Sequence, residues 1–123
     1  MATDLTISLL NRPGSLAQAS DVLGRAGVNI EAACGYVCGD EGLYHVLVAD
    51  AERARRALID SGFEILDERR VVIVPVENRP GAGAALLRRV AEAQVNVDLL
   101  YTTMDGRLVL GGSDMAALRR ALG

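Results

Sequence analysis

Lysine is absent from this chain: all 13 of its basic residues are arginine. That excludes chemistry built on a Schiff-base lysine, a pyridoxal-phosphate lysine or a P-loop lysine. Tryptophan is absent too, and Tyr36, Tyr44, Phe63 and Tyr101 are the only aromatics. Half of the residues are hydrophobic, so the core must be aliphatic and rich in alanine. His45 is the single histidine, and Cys34 and Cys38 are the only cysteines. Four positions apart in a strand, their Cα atoms lie about 13 Å from one another, too far for a disulfide. Both point to one face and read as small buried hydrophobes. With Asp40-Glu41 as the turn, His45 falls opposite Tyr36 on that face. A Cys/His metal site lacks further ligands, so no metal is expected.

No apolar run approaches the length of a membrane span. The segment Met1 to Asn11 has an acid and no basic region, unlike a signal peptide. A soluble, cytoplasmic protein is expected. The net charge of −3 offers no electrostatic case for nucleic acid or an anionic membrane as partner. The arginine pairs 55-56, 69-70, 88-89 and 119-120 read as solvated helix faces.

What is present is a repeat. The tetrapeptide Asn-Arg-Pro-Gly occurs at Asn11–Gly14 and again at Asn78–Gly81, an offset of 67 residues. Each copy is followed 14 residues later by Val-Asn, at Val28-Asn29 and Val95-Asn96. Two motifs at one spacing imply an internal duplication. Halves of about 60 residues are marginal alone and gain by sharing burial. The boundaries drawn are 1–70 and 71–123.

The first half reads as strand Leu5–Leu10, a helix through Leu16, Ala19, Leu23 and Ala26, strands Val28–Cys38 and Leu43–Ala49 around a loop at Gly39–Gly42, a helix capped by Asp50, and a strand from Phe63. The second half repeats this order. It has a strand at Val71–Val76, a helix at Leu86–Ala91, a hairpin across a type I′ Asp105-Gly106 turn, and a helix capped by Ser113. The chain stops before a last strand. The fold class is α+β: two ferredoxin-like βαββαβ units in tandem, with antiparallel sheets and helices on one face. The first strand of such a unit is normally central. Without a fourth strand it lies at an edge in the second copy, where Pro75 is tolerated because it lacks a ladder N–H. Alternatively, Phe63–Glu77 runs on and lends its strand to the second copy, or a partner chain covers the edge.

The Asn-Arg-Pro-Gly corner suits a small zwitterion. Pro13 fixes the first turn, Gly14 admits close approach to the backbone, and the helix N-terminus presents free N–H groups to a carboxylate. Asn11 and Asn29 supply amide groups. The alternative is purely structural, an Asx turn at Asn11 and a Pro-Gly corner.

The segments NRPGSLAQASDVLGRAGVNI and VENRPGAGAALLRRVAEAQVNV resemble the ACT domain, a regulatory ligand-binding module, across both halves. The first is similar to the regulatory domain of D-3-phosphoglycerate dehydrogenase. The resemblance implies a small standalone pair of ACT units that binds an amino acid at domain or subunit interfaces and needs no cofactor. It implies a homodimer and an enzyme of amino-acid metabolism as a regulated partner. It also implies contacts from Asn11, Arg12, Pro13, Gly14, Ser15 and Leu16, with Asn29 and Ile30 approaching from a paired domain. In the second copy the same places are Asn78, Arg79, Pro80, Gly81 and Ala82, with Asn96 and Val97. That family uses a histidine two residues before the first of these. Leu9 and Val76 stand there instead, which points away from serine to a more apolar or differently held ligand. Gly81-Ala82-Gly83 leaves more room than Ser15-Leu16, so the two sites need not be equivalent.

Two other readings compete. One is a ligand-free interaction module that uses the strand edge at Val71–Val76. The other is a small enzyme. No triad or paired-carboxylate spacing stands out, and Glu31 and Asp98, matched between copies, read as ammonium contacts or solvated strand ends. The expectation is therefore a non-catalytic protein.

Overall fold

The computed structural model describes residues 2–123. The chain forms two compact units with their boundary at Arg69-Arg70, the last two residues of the strand that ends unit 1. Unit 1 holds β1 (Thr3–Leu10), α1 (Ser15–Arg25), β2 (Ala32–Cys38), β3 (Glu41–Val48), α2 (Ala51–Asp60) and β4 (Glu64–Arg70). Its sheet runs β2-β3-β1-β4. The first strand is therefore central, as the ferredoxin-like order requires. The fourth strand serves this sheet and is not lent to the second copy. Alternation along β1 sends Leu5, Ile7 and Leu9 toward the helices, where they meet Ala19, Leu23, Ala54 and Leu58 in an aliphatic core.

Unit 2 holds β5 (Val72–Pro75), α3 (Ala82–Glu92), β6 (Leu99–Thr102), β7 (Arg107–Gly111) and α4 (Met115–Leu122). Its sheet has three strands in the order β5-β7-β6. β5 lies at an edge, and Pro75 closes it opposite Arg107. Val72, Val74, Leu108 and Leu110 pack against Val90 and Leu118.

Several local expectations need correction. β2 starts at Ala32 rather than Val28, because Val28 closes the preceding helix: its N–H donates to Leu23 O at 2.9 Å while Gly27, at φ 76°, donates to Gly24 O. This is a Schellman ending, which removes Val28 from the ladder. Val95 does the same at the end of α3. The Gly39–Gly42 loop shrinks to a two-residue turn at Gly39-Asp40, with Cys38 opposite Glu41. Only its first residue has positive φ, the type II′ pattern. The register moves by two, so His45 faces Cys34, and Tyr36 faces Leu43. The face is unchanged because a shift of two preserves strand parity. Cys38 is exposed rather than buried, since it sits at the hairpin tip of an edge strand. The second hairpin turns through three residues, Met104–Gly106, with Thr103 N–H donating to Arg107 O. It is not the two-residue type I′ turn. α4 is capped by Asp114, whose carboxylate accepts from Ala117 N–H at 3.0 Å, and not by Ser113. Asp50 caps α2 as expected, accepting from Arg53 N–H.

Candidate functional site

At the end of β1 the chain turns through Asn11–Gly14 into α1. Gly14 sits at the N-cap with φ 90°, a left-handed conformation that costs an L residue about 1–2 kcal/mol. It brings no capping side chain, so the first amides of α1 are not covered by one. The first helical bond runs from Gln18 N–H to Gly14 O, and the amides of Leu16 and Ala17 have no backbone acceptor among the described residues. They form the positive end of the helix dipole.

A cavity of about 200 Å³, lined in part by Ser15 and Leu16 of the first turn, opens at this corner. Asn11, Arg12 and Ser15 supply its polar edge. Leu16, Tyr36, Val37 and Leu43 supply most of its apolar wall, and no carboxylate lines it. Gly35 belongs to the wall as well, where an added Cβ would already touch the Leu16 side chain at 3.6 Å. A larger polar cavity of about 680 Å³ shares Arg12 and Ser15 and reaches Ser8, Glu41 and Phe63. Ser15 is only 7% exposed, and its hydroxyl makes no hydrogen bond among the described residues. No sealed side-chain polar atom among the described residues lacks a partner, so this hydroxyl is not sealed, and Ser15 lines both cavities. Arg12 is exposed and makes no ion pair among the described residues. The Asn11 side chain likewise makes no hydrogen bond there, so the Asx-turn alternative is not realised.

The expected site residues divide by position. Asn11, Arg12, Ser15 and Leu16 gather at the cavity, with Pro13 and Gly14 exposed at the corner that shapes it. Asn29 and Ile30 do not join them. They precede β2, which runs parallel to β1 with β3 between, so they lie at the opposite end of the sheet, about 20 Å away. Ile30 packs against the core. The second copy repeats this separation: Asn78, Arg79, Pro80 and Gly81 are exposed at the start of α3, Ala82 is buried, and Asn96 and Val97 follow the helix. Val97 packs against the unit 2 core. The hairpin residues Gly35, Tyr36, Val37 and Leu43 were missed by sequence reasoning. The available signal was that the hairpin segment is three residues longer in the first copy than in the second.

His45 is engaged elsewhere. Its Nδ1 lies 3.0 Å from Asp4 Oδ2 and 3.2 Å from Thr6 Oγ1, on the sheet face away from the helices, and its ring stacks on Tyr36 at 6.0 Å. No cluster of three potential metal ligands occurs among the described residues. No helix among them is long and apolar enough to cross a membrane. Glu31 and Asp98 hold equivalent places, each donating its backbone N–H to the neighbouring strand, at Leu47 O and Gly111 O.

Residues 1–119 match the ACT domain pair family. The chain belongs to that family. Among solved structures it is similar to protein BT0572 from Bacteroides thetaiotaomicron, with a TM-score of 0.87 and 28% identity over 98% of this chain and 85% of that one. It shares its fold with the regulatory subunit of aspartate kinase from Thermus thermophilus in its ligand-free form, with a TM-score of 0.73 and 20% identity over 98% and 89% of the two chains. The regulatory subunit from Thermus flavus aligns equally well, at 0.73 and 19% over 98% and 90%. No curated protein matches the sequence. As an ACT pair the chain has the architecture of a regulatory module, two ferredoxin-like units in tandem.

Proposed function

We propose that this ACT pair is a non-catalytic regulator that binds a small α-amino acid with an uncharged, aliphatic side chain. The observation that carries this reading is the 200 Å³ cavity at the corner before α1, where Asn11, Arg12 and Ser15 meet an apolar wall. A carboxylate docks on the amides of Leu16 and Ala17 beside Arg12, where dipole and charge both favour an anion. Leu9, Leu16, Val37 and Leu43 receive the side chain. A basic side chain would find no carboxylate in this wall to pair with, and burying it unpaired is costly. The motif likeness to the regulatory domain of D-3-phosphoglycerate dehydrogenase supports the same corner as the contact point.

Asn29 meets such a ligand only from a second copy of the chain. β2 is an edge strand. Antiparallel pairing of two β2 edges brings Asn29 of one copy alongside the hairpin of the other. We therefore read the protein as a homodimer. Isothermal titration against the twenty amino acids tests the function. Saturable binding of leucine, valine or isoleucine, lost in Asn11→Ala, is expected. Silence toward every amino acid would sink the reading.

A second reading rests on one observation. Leu10, Leu16, Tyr36 and Val37 are about half exposed or more around the same edge, as a surface that regulates an enzyme in trans without a ligand would be. Stoichiometric co-purification of an enzyme with a ligand-free pair would favour it.

A further inference from the structure

The two Asn-Arg-Pro-Gly corners share a backbone. Gly14 and Gly81 have φ 90° and 85°, and neither α1 nor α3 has a side-chain cap. Three differences separate them. First, Arg12 has no ion partner among the described residues, whereas Arg79 is hydrogen-bonded and ion-paired to Glu77. Leu10 stands where Glu77 would fall in unit 1. Second, Ser15, a residue only 7% exposed, offers a hydroxyl with no partner among the described residues, and its counterpart Ala82 offers none. Third, the hairpins differ in reach. In unit 1 the ladder passes Ser8–Leu43 and continues to Leu9–Gly42 and Leu10–Glu41, raising Tyr36 and Val37 beside the corner. In unit 2 the last pair is Pro75–Arg107, the counterpart of Ser8–Leu43, and the chain then turns. The pairs Leu9–Gly42, Leu10–Glu41 and Val37–Gly42 of unit 1 have no equivalent there.

We infer that ligand binding belongs to unit 1 alone, with Arg12 and Ser15 as its carboxylate-holding residues, and that Glu77 supplies unit 2 with an internal carboxylate in place of a ligand. The chain then binds one amino acid, not two. Two near-identical motifs serve different ends: one is a seat, the other a self-neutralised corner that keeps the turn. This inference rests on the amino-acid-binding reading above.

The test is titration of the full-length protein with L-leucine, L-valine, L-isoleucine, L-serine, L-aspartate and L-lysine, followed by variants scored with whichever binds. One ligand per chain is expected. Arg12→Ala and Ser15→Ala should each weaken binding about tenfold, the scale of a lost hydrogen bond to a charged group. Ser15→Ala only installs the residue that unit 2 already carries, so the fold should survive, as circular dichroism would verify. Leu10→Glu, which imports the unit 2 carboxylate, should abolish binding. Arg79→Ala and Asn78→Ala should leave the isotherm unchanged. Two ligands per chain, or weakening by the unit 2 variants, overturns the inference and leaves the amino-acid reading intact. Absence of any binding overturns the reading itself, and the inference with it.

Discussion

Unit 1 and unit 2 repeat one plan with different numbers of strands. Unit 1 closes a four-stranded sheet, and unit 2 stops at three strands with Pro75 on its edge. The sheet face away from the helices differs as well. In unit 1 it carries buried Asp4, Thr6 and His45 in a hydrogen-bonded set, where the corresponding positions in unit 2 are Val71, Ile73 and Val109. Unit 1 spends its residues on polar networks and a cavity wall, and unit 2 on aliphatic burial. A duplicated fold can thus keep its backbone corners while the side chains around them diverge, with Arg79 paired to Glu77 and Arg12 unpaired among the described residues.

The largest expected effect concerns the cores. Leu23 and Leu118 are both fully buried. Truncating either to alanine should cost about 2–5 kcal/mol. A unit built on residues 70–123 has less buried surface to lose. Leu118→Ala should therefore expose β5–β7 to rapid amide exchange, while Leu23→Ala leaves unit 1 folded but weakened. Equal protection in both variants would erase the distinction.

A smaller effect sits at the helix ends. Gly27 closes α1 at φ 76°, and Gln94, its counterpart, closes α3 at φ 61°. Gln94→Gly should stabilise unit 2 by about 0.5–1 kcal/mol, and Gly27→Gln should destabilise unit 1 by a similar amount. Denaturant midpoints shifting in the same direction would contradict this.

The smallest effect depends on pH. In the unit 2 hairpin the Thr103 hydroxyl donates to the Asp105 carboxylate, and this, followed by Arg107, lowers its pKa below the ordinary 3.8. A carboxyl depressed in the folded state stabilises fully above its unfolded value and loses that contribution as pH falls through its folded one. The Thr103 and Arg107 amide resonances should therefore move below pH 4, and Asp105→Asn should abolish the movement.

Much of this comparison was legible in the sequence. The repeat fixed the pairing of elements, and Pro75 marked β5 as an edge strand. Gly14, Gly27 and Gly62 marked corners because only glycine takes their conformation cheaply. What escaped was hairpin reach. Strand pairing depends on where a turn closes, and Gly39-Asp40 and Asp40-Glu41 are equally plausible turns locally. The cavity wall followed from that choice, so Tyr36 and Val37 were invisible as site residues. Val28 and Val95 read as strand because β-branched residues favour strands, yet helix termination claimed them. The Glu77–Arg79 pair was in plain sight as spacing, but an exposed pair two apart carries no weight until its counterpart is seen to lack one.

The shorter hairpin of unit 2 has a last consequence. Between Gly35–Tyr44 in unit 1 and Thr102–Leu108 in unit 2, the connecting chain differs by three residues. An odd difference threatens every position downstream, because side chains along a strand alternate with a period of two. The three-residue loop with Gly106 at φ 84° absorbs the odd residue as a local bulge. Leu108 and Leu110 thereby stay in phase with Tyr44 and Val46 and still face the helices. The loop acts as a phase corrector: one left-handed glycine allows the repeat to carry a shorter hairpin without turning its core inside out.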